Sequence, residues 1–141
     1  MRFVYSLLLS SIILFILSSC REEIIEPGNI AGNLNTPVIE NNNNYYSMVI
    51  NASDLSTSYL SFTNFSFISN RTLLNISDLS NGSVRINIKD KNGTSIFFSS
   101  NQTEVENDSR KISGSVPESV EFAFSNFTGK LKFSISYSPP N

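Results

Sequence analysis

Clustered carboxylates are the first residues of this sequence whose type and spacing could do chemistry. Glu104, Glu106 and Asp108 fall within five residues, inside the polar stretch 101–110. Carboxylate oxygens are the ligands that hard cations such as calcium prefer, so this stretch is a candidate cation loop. Loops of this composition are more often simply solvated. Whether 101–110 binds a cation is therefore left open by the sequence.

Two other acidic patterns match a functional site incompletely, one a calcium loop and the other a catalytic pair of carboxylates. The run Asp90-Lys91-Asn92-Gly93-Thr94 lacks the full spacing and the distal bidentate Glu of a calcium loop, so it predicts a plain β-hairpin. Glu118 and Glu121 could form the carboxylate pair of a glycosidase. Their odd spacing, however, places them on opposite faces of one strand.

The absence of His and the presence of a single Cys exclude several kinds of catalytic and metal site. The chain has no His, one Cys and no Gly-x-Ser-x-Gly nucleophile motif. A histidine base, a serine triad, an internal disulfide and a thiolate zinc site are all excluded as a result. We expect no catalytic residue, no metal ligand set and no cofactor, and we interpret the protein as a non-enzyme.

The single cysteine lies at the end of the one long apolar run. A short basic start, Met1-Arg2-Phe3, precedes the apolar stretch 4–17, which has the length of a signal-peptide core and is too short for a comfortable membrane span. Leu17-Ser18-Ser19-Cys20 then resembles the lipobox of bacterial lipoproteins. The resemblance implies that a signal peptide, residues 1–19, is removed and that Cys20 carries a diacylglycerol on its sulfur. The alternatives are an ordinary secretory signal cut after Ser19, or a stray structural cysteine.

Three charged residues follow Cys20 directly. Arg21, Glu22 and Glu23 resemble the export signal of surface lipoproteins in Bacteroidota. The resemblance implies that the protein is anchored in the outer membrane. The domain would then face either the cell surface or the periplasm. Charges this close to the lipid would lie at the head-group boundary, where sorting proteins could read them. The alternative is a polar start to a spacer with no sorting role.

Residues 20–44 have no hydrophobic period and are interpreted as the lipidated cysteine followed by a flexible, disordered tether. They contain Pro27-Gly28 and the run Asn41-Asn42-Asn43-Asn44, which are typical of spacers. Two short apolar spots, Ile24-Ile25 and Val38-Ile39, leave a second possibility open. Either spot could dock on the domain or add an edge strand to it.

Residues 45–141 alternate between apolar and polar side chains, which predicts an all-β domain. The clearest strands have Val84, Ile86 and Ile88, or Leu131, Phe133, Ile135 and Tyr137, on one face. About eight short strands at this spacing predict one antiparallel β-sandwich or jelly roll. The other expected strands are 46–50, 59–68, 72–76, 94–99, 111–116 and 120–124, with turns at 90–93 and 126–129, Asn81-Gly82 before a strand, a boundary at Pro117 and one helical turn at 53–58.

Phenylalanine supplies most of the expected core, but not every ring can face inward. Phe97 and Phe98 are adjacent, so their side chains point to opposite faces of one strand. One of the two must be exposed, covered by another element, or part of a binding patch. The sequence alone does not say which ring has that role.

The segment 82–137 resembles the small β-sandwich lipoproteins of low-GC, Bacteroidota-like bacteria. The resemblance lies in the order of its motifs: Gly82-Ser83-Val84, the hairpin at 90–93, the strand at 120–124, Asn126-Phe127-Thr128-Gly129 and a final alternating strand. It implies an envelope-anchored sandwich domain and no particular ligand.

Charge and composition narrow the partners. The 141 residues are 16% charged, 40% hydrophobic and carry a net charge of −2 without a basic stripe, so we expect no nucleic acid. The expected partners are the membrane, through Cys20, and a glycan or envelope protein held by a binding or adhesion module. The alternative is a structural or accessory lipoprotein without a soluble ligand. An exposed aromatic patch flanked by Asn and Asp would favour binding, and a uniformly polar surface would favour the alternative.

Overall fold

A computed structural model describes residues 33–139 of the chain. The predicted signal peptide 1–19, Cys20, the triplet Arg21-Glu22-Glu23 and the apolar spot Ile24-Ile25 lie outside the described residues. Within 33–139 the fold is all-β, as the alternation predicted, and consists of one antiparallel sheet of six strands. No helix among the described residues has the length and apolarity needed to cross a bilayer.

Three very long strands dominate the sheet. The strand order is β1-β2-β6-β3-β4. On the same edge of β3, β5 pairs with residues 69–76 and β4 pairs with residues 84–89. The strands β2, β3 and β6 have 18, 21 and 19 residues, so each is long enough to belong to two layers. The bounds are β1 Val38–Asn41, β2 Tyr45–Phe62, β3 Ser69–Lys89, β4 Ser95–Asn101, β5 Val105–Ser113 and β6 Ser119–Tyr137.

The sheet folds back on itself and so forms a sandwich from one sheet rather than two. Phe122 and Phe133 both belong to β6, and a straight strand would separate them by about 36 Å. Their ring centroids are only 5.5 Å apart. The open ends of the two layers also meet, since the Asn41 side chain donates a hydrogen bond of 2.8 Å to the Phe62 carbonyl. One layer therefore holds β1, β5 and residues 45–52, 69–77 and 129–137, and the other holds β4 and residues 55–62, 83–89 and 119–127.

Left-handed residues produce the bend between the layers. Asp54, Asp78 and Asn126 have φ values of 51°, 54° and 46°, and Gly82 has a φ of 79°. Asp, Asn and Gly adopt this region at the lowest cost, so the bends fall where the sequence supplies them. Pairing registers shift at the same places in β2 and β3. In β6 the buried side chains change from even to odd positions at the bend. Phe124 is buried before the bend, and Phe127 is buried after it.

The prediction of about eight short strands was wrong because bends were taken for connections. Asn126-Phe127-Thr128-Gly129 lies inside β6, and Asn81-Gly82 lies inside β3. The helical turn predicted at 53–58 is a bent part of β2. Pairing with neighbouring strands continues on both sides of each of these points, and that pairing decides whether a turn-forming residue ends a strand or bends it.

The hairpin at 90–93 was predicted correctly. It joins β3 to β4, and the Asp90 carboxylate accepts hydrogen bonds of 2.9 Å from the backbone N–H groups of Asn92 and Thr94. Gly93 supplies the left-handed residue, with a φ of 77°. Pro117 lies just before β6, at the strand boundary expected for it.

Of the alternatives for Val38-Ile39, the structure has the edge strand. Residues 38–41 pair with β2, with Val38 opposite Val49. Asn35 adds two hydrogen bonds to Ser53, of 3.1 Å and 2.8 Å, beside the bend of β2. The folded part of the chain therefore begins before residue 45.

The core lies between the two layers and follows the predicted phase of the strands. Val84, Ile86 and Ile88 are completely buried, while Arg85 on the opposite face is exposed. Tyr137 departs from its predicted inward position, because β6 ends there and the ring is exposed. The other large, completely buried side chains are Tyr46, Met48, Ile50, Phe122, Phe127, Phe133 and Ile135.

Candidate ligand-binding face

The acidic residues considered from sequence do not converge. The Glu104 carboxylate accepts a hydrogen bond of 3.2 Å from the Leu79 backbone N–H, and Asp108 pairs with Arg110 at 2.6 Å. Among residues 33–139 no three acidic, His or Cys side chains are grouped as a metal site would need. Glu104 and Asp108 are thus engaged separately, in local structure, and the expected loop is in part a strand, because Glu106 and Asp108 belong to β5.

Glu118 and Glu121 also have separate environments. Glu118 precedes β6 and is exposed, whereas Glu121 lies on the outer face of the sheet and pairs with Lys89 at 3.4 Å. Glu121 borders a cleft. The two carboxylates do not face each other across a bond-cleaving site of the kind that a glycosidase needs.

The structure answers which of the two adjacent phenylalanines is exposed. Phe97 is 7% exposed and packs between the layers, with its ring centroid 5.9 Å from that of Phe133. Phe98 points the other way and is 57% exposed. It stands beside a cleft of about 190 Å³ on the outer face of the second layer, lined by Arg85, Asn87, Phe98, Glu121 and Ala123.

Neighbouring contacts hold Phe98 in position. The guanidinium of Arg110 lies 5.5 Å from the centroid of the Phe97 ring and donates a hydrogen bond of 3.4 Å to the Phe98 carbonyl. The hydrogen bond with Asp108 raises the pKa of Arg110 further, so this cation stays charged. Across the strand pair, Ser95 donates a hydrogen bond of 2.6 Å to the Asn87 side-chain oxygen, which orients the Asn87 amide.

Apolar side chains also border the opposite side of this face. Leu60 and Phe62 of β2 are 61% and 65% exposed. Pairing registers place Leu60, Glu121, Asn87 and Phe98 in one row across four strands, which spans about 14 Å. We call this surface the Phe98 face, defined by Leu60, Phe62, Arg85, Asn87, Phe98, Ser100, Glu121 and Ala123.

A larger polar cavity lies where the sheet bends. Its volume is about 450 Å³. It is called the bend cavity below, and it is lined by Leu79, Ser80, Asn81, Gly82, Ser83, Gln102, Ser125 and Asn126.

Contacts among three strands, β2, β3 and β6, shape the wall of the bend cavity. Ser56 of β2 donates a hydrogen bond of 2.8 Å to the Asn126 side-chain oxygen, and its hydroxyl accepts one of 2.8 Å from the Asn126 backbone N–H. Gly82 lies so close to β6 that a Cβ atom there would be 2.3 Å from the carbonyl oxygens of Ser125 and Asn126. The wall is therefore held by backbone contact and by a reciprocal hydrogen-bonded pair.

A third surface is apolar and lies at the open end of the sandwich. Phe67 and Tyr137 stack with ring centroids 4.4 Å apart, beside the exposed Ile68. The adjoining cavity has a volume of about 330 Å³ and includes Lys111 on its rim.

Sequence reasoning identified part of this site. The Phe97-Phe98 pair was recognised as a source of one exposed ring, whereas Asn81-Gly82 and Asn126 were interpreted only as turn residues. Cys20, Arg21, Glu22 and Glu23 lie outside the described residues and stay predictions. Compared with protein-family models and with curated proteins, the chain has no match. The functional argument therefore rests on the site itself.

Proposed function

We propose that this protein is a lipid-anchored, non-catalytic binding module of a bacterial envelope, and that its ligand contacts the Phe98 face. The observation that supports this proposal is the exposed ring of Phe98 beside Asn87 and Glu121. An exposed aromatic ring flanked by oriented polar groups is typical of recognition surfaces. The sequence criterion for binding was an aromatic patch flanked by Asn and Asp, and this face carries Asn87 with Glu121 in place of an Asp.

The same face argues against the structural alternative. A spacer protein gains nothing from three large exposed apolar side chains on one side of a sheet, and Leu60, Phe62 and Phe98 are all more than half exposed. Exposed apolar area on a sheet also increases the risk of aggregation. A binding role supplies a reason for keeping these side chains in water.

The anchor belongs to the proposal through Cys20. Each methylene of an acyl chain buried in the bilayer contributes about 0.8 kcal/mol, and two or three chains together bind almost irreversibly. Lipidation of Cys20 would hold the domain at the membrane without a transmembrane helix. The proposed location is the outer membrane, on the cell surface where Arg21-Glu22-Glu23 directs export.

Protease shaving of intact cells tests the proposed location. We expect the wild-type domain to be digested in intact cells and the Glu22→Ala/Glu23→Ala variant to be protected until lysis. Protection of both proteins in intact cells would place the domain in the periplasm, and equal digestion of both would remove the sorting role of the triplet.

Site-specific photocrosslinking tests the binding role. The full-length protein, carrying a photoreactive phenylalanine in place of Phe98, is irradiated in its own cells. A second protein with the same group in place of Lys132, which is exposed on the outer face of the other layer, is the control. We expect a discrete adduct from position 98 alone, whose mass and digestibility identify a glycan or a protein. Equal adducts at both positions, or none at either, would support the structural alternative instead.

A further inference from the structure

The Phe98 face and the bend cavity are consecutive parts of one surface. Along the outer side of the β3–β6 pair, Asn87 lies opposite Glu121, Arg85 opposite Ala123, and Ser83 opposite Ser125. The first two pairs border the cleft beside Phe98, and the third borders the bend cavity. The two cavities thus adjoin along the same two strands.

Strand β4 supplies the third side of this surface. Phe98 and Ser100 point outward at alternate positions of β4, and Gln102 follows on the same side. Gln102 lines the bend cavity, as Phe98 lines the cleft. From Asn87 to Asn81 the surface extends for about 20 Å along β3, which is longer than a single small molecule needs.

The bend cavity contains hydrogen-bonding groups and no charge. It is lined by the carboxamides of Asn81, Gln102 and Asn126 and by three serine hydroxyls. Of these cavity-lining residues, all within the described range, only Asn126 uses its side chain in a hydrogen bond, which its oxygen accepts from Ser56. Carboxamides and hydroxyls both donate and accept, which suits a ligand rich in hydroxyl groups. A volume of about 450 Å³ is within the range of small-ligand sites, although those are usually more apolar.

At the other end, Phe98 offers a flat ring. The face of an aromatic ring is the negative side of its quadrupole, and it attracts the weakly positive C–H groups of a sugar ring. Arg85 and Asn87, between the ring and the bend, can donate hydrogen bonds to sugar hydroxyls. The Lys89–Glu121 pair, with its two atoms 3.4 Å apart, adds no net charge.

We infer that the Phe98 face and the bend cavity together form one elongated site for a linear, neutral oligosaccharide. One sugar ring stacks on Phe98, and a later ring hydrogen-bonds in the bend cavity. The inference rests on the proposed binding function and adds to it the class of ligand and a second contact region. The site is preorganised, because the backbone contact at Gly82 and the hydrogen bonds of the Ser56 hydroxyl with Asn126 fix the cavity wall.

Calorimetric titration of the full-length protein in detergent tests this inference. The probes are maltotetraose, cellotetraose and mannotetraose, the corresponding monosaccharides, and tetragalacturonic acid as a charged chain of the same length. The variants are Phe98→Ala, for the stacking end, and Asn81→Ala/Gln102→Ala, for the bend. Asn43→Ala/Asn92→Ala is the matched control, since it also removes two exposed carboxamides but lies away from the site.

We expect at least one neutral tetrasaccharide to bind, and its monosaccharide to bind at least about tenfold more weakly. Each site variant is expected to weaken tetrasaccharide binding about tenfold or more, with an unchanged circular dichroism spectrum, and the control variant is expected to bind like wild type. Equal affinity for the monosaccharide, or an unchanged Asn81→Ala/Gln102→Ala variant, would overturn the elongated site.

Other outcomes separate this inference from the proposed function. Tighter binding of tetragalacturonic acid would overturn the neutral ligand class. Absence of binding by every neutral tetrasaccharide, together with a protein adduct from the photoreactive group at position 98, would overturn the inference and leave the binding function standing. Absence of both binding and adduct would overturn the two together.

Discussion

Tyr46 places an unsatisfied hydroxyl group in the core. Its side chain is 0% exposed, and its hydroxyl makes no hydrogen bond of good geometry among the described residues, although the Ser61 side chain is close enough to offset part of the effect of burial on its pKa. A buried polar group without a partner costs free energy of folding. We expect Tyr46→Phe to leave the free energy of unfolding unchanged or to raise it by about 1 kcal/mol, as measured by urea denaturation.

Tyr59 is the matched control for this substitution. Its hydroxyl donates a hydrogen bond of 3.2 Å to the Asn35 carbonyl, so Tyr59→Phe should lower the free energy of unfolding by about 1 kcal/mol.

Burial raises the pKa of Tyr46 above its ordinary 10.0. The unfolded state then loses this proton first, so stability is full below pH 10 and falls as the pH rises above it. The loss of stability above pH 10 should therefore be smaller in Tyr46→Phe than in wild type. An identical loss in both proteins would contradict a raised pKa of Tyr46 in the folded state.

Phe97 and Phe98 differ only in which way their strand presents them. We expect Phe97→Ala to lower the free energy of unfolding by about 3–5 kcal/mol, because it leaves a cavity in the core. Phe98→Ala should change it by no more than about 0.5 kcal/mol, since the ring is mostly in water. Denaturant unfolding of the two variants checks this, and a reversed order would mean that the outward ring has been misassigned.

At the scale of the strand, the bend depends on close contact between two backbones. A Cβ atom at residue 82 would meet two carbonyl oxygens of β6 at 2.3 Å, and the φ of 79° is already strained for other residues. We expect Gly82→Ala to lower the free energy of unfolding by more than about 4 kcal/mol, enough to unfold a marginal domain. Thermal unfolding followed by circular dichroism is the measurement.

Gly93 separates the two causes of strain. It has a similar φ of 77°, but nothing lies within 4 Å of where its Cβ would be. Gly93→Ala should therefore cost only about 1–2 kcal/mol, the price of the left-handed conformation alone. Equal effects of the two substitutions would show that β3 and β6 are not in contact at the bend.

The same strands show which features of the fold could be predicted from the sequence and which could not. The strand phases were predictable, because burying one face of a strand requires period-two alternation. The fold-back of the strands was not, because Asn and Gly favour left-handed conformations in turns and in bulges alike. The bend cavity could not be predicted for that reason, since Asn81-Gly82 and Asn126 indicate a turn between strands as well as a bend within one.

At the scale of the whole molecule, the proposed lipid anchor on Cys20 would decide where the domain works. We expect the wild-type protein to partition into the detergent phase and Cys20→Ala to stay in the aqueous phase. Intact-mass measurement of the membrane form should show acyl groups on a chain that begins at Cys20. A mature N-terminus elsewhere, without acyl mass, would contradict lipidation and leave an ordinary secreted domain.

The sequence by itself determined that the domain is all-β, which face of most strands is buried, and that one of Phe97 and Phe98 must leave the core. These properties are local, because alternation along a strand is a property of neighbouring residues. Only the tertiary structure decided that Phe98 is the exposed ring, that the long strands fold into two layers, and that polar residues far apart in sequence line one cavity. Each of these depends on which strands pair and in which register, and pairing is a relation between distant segments that no local pattern encodes.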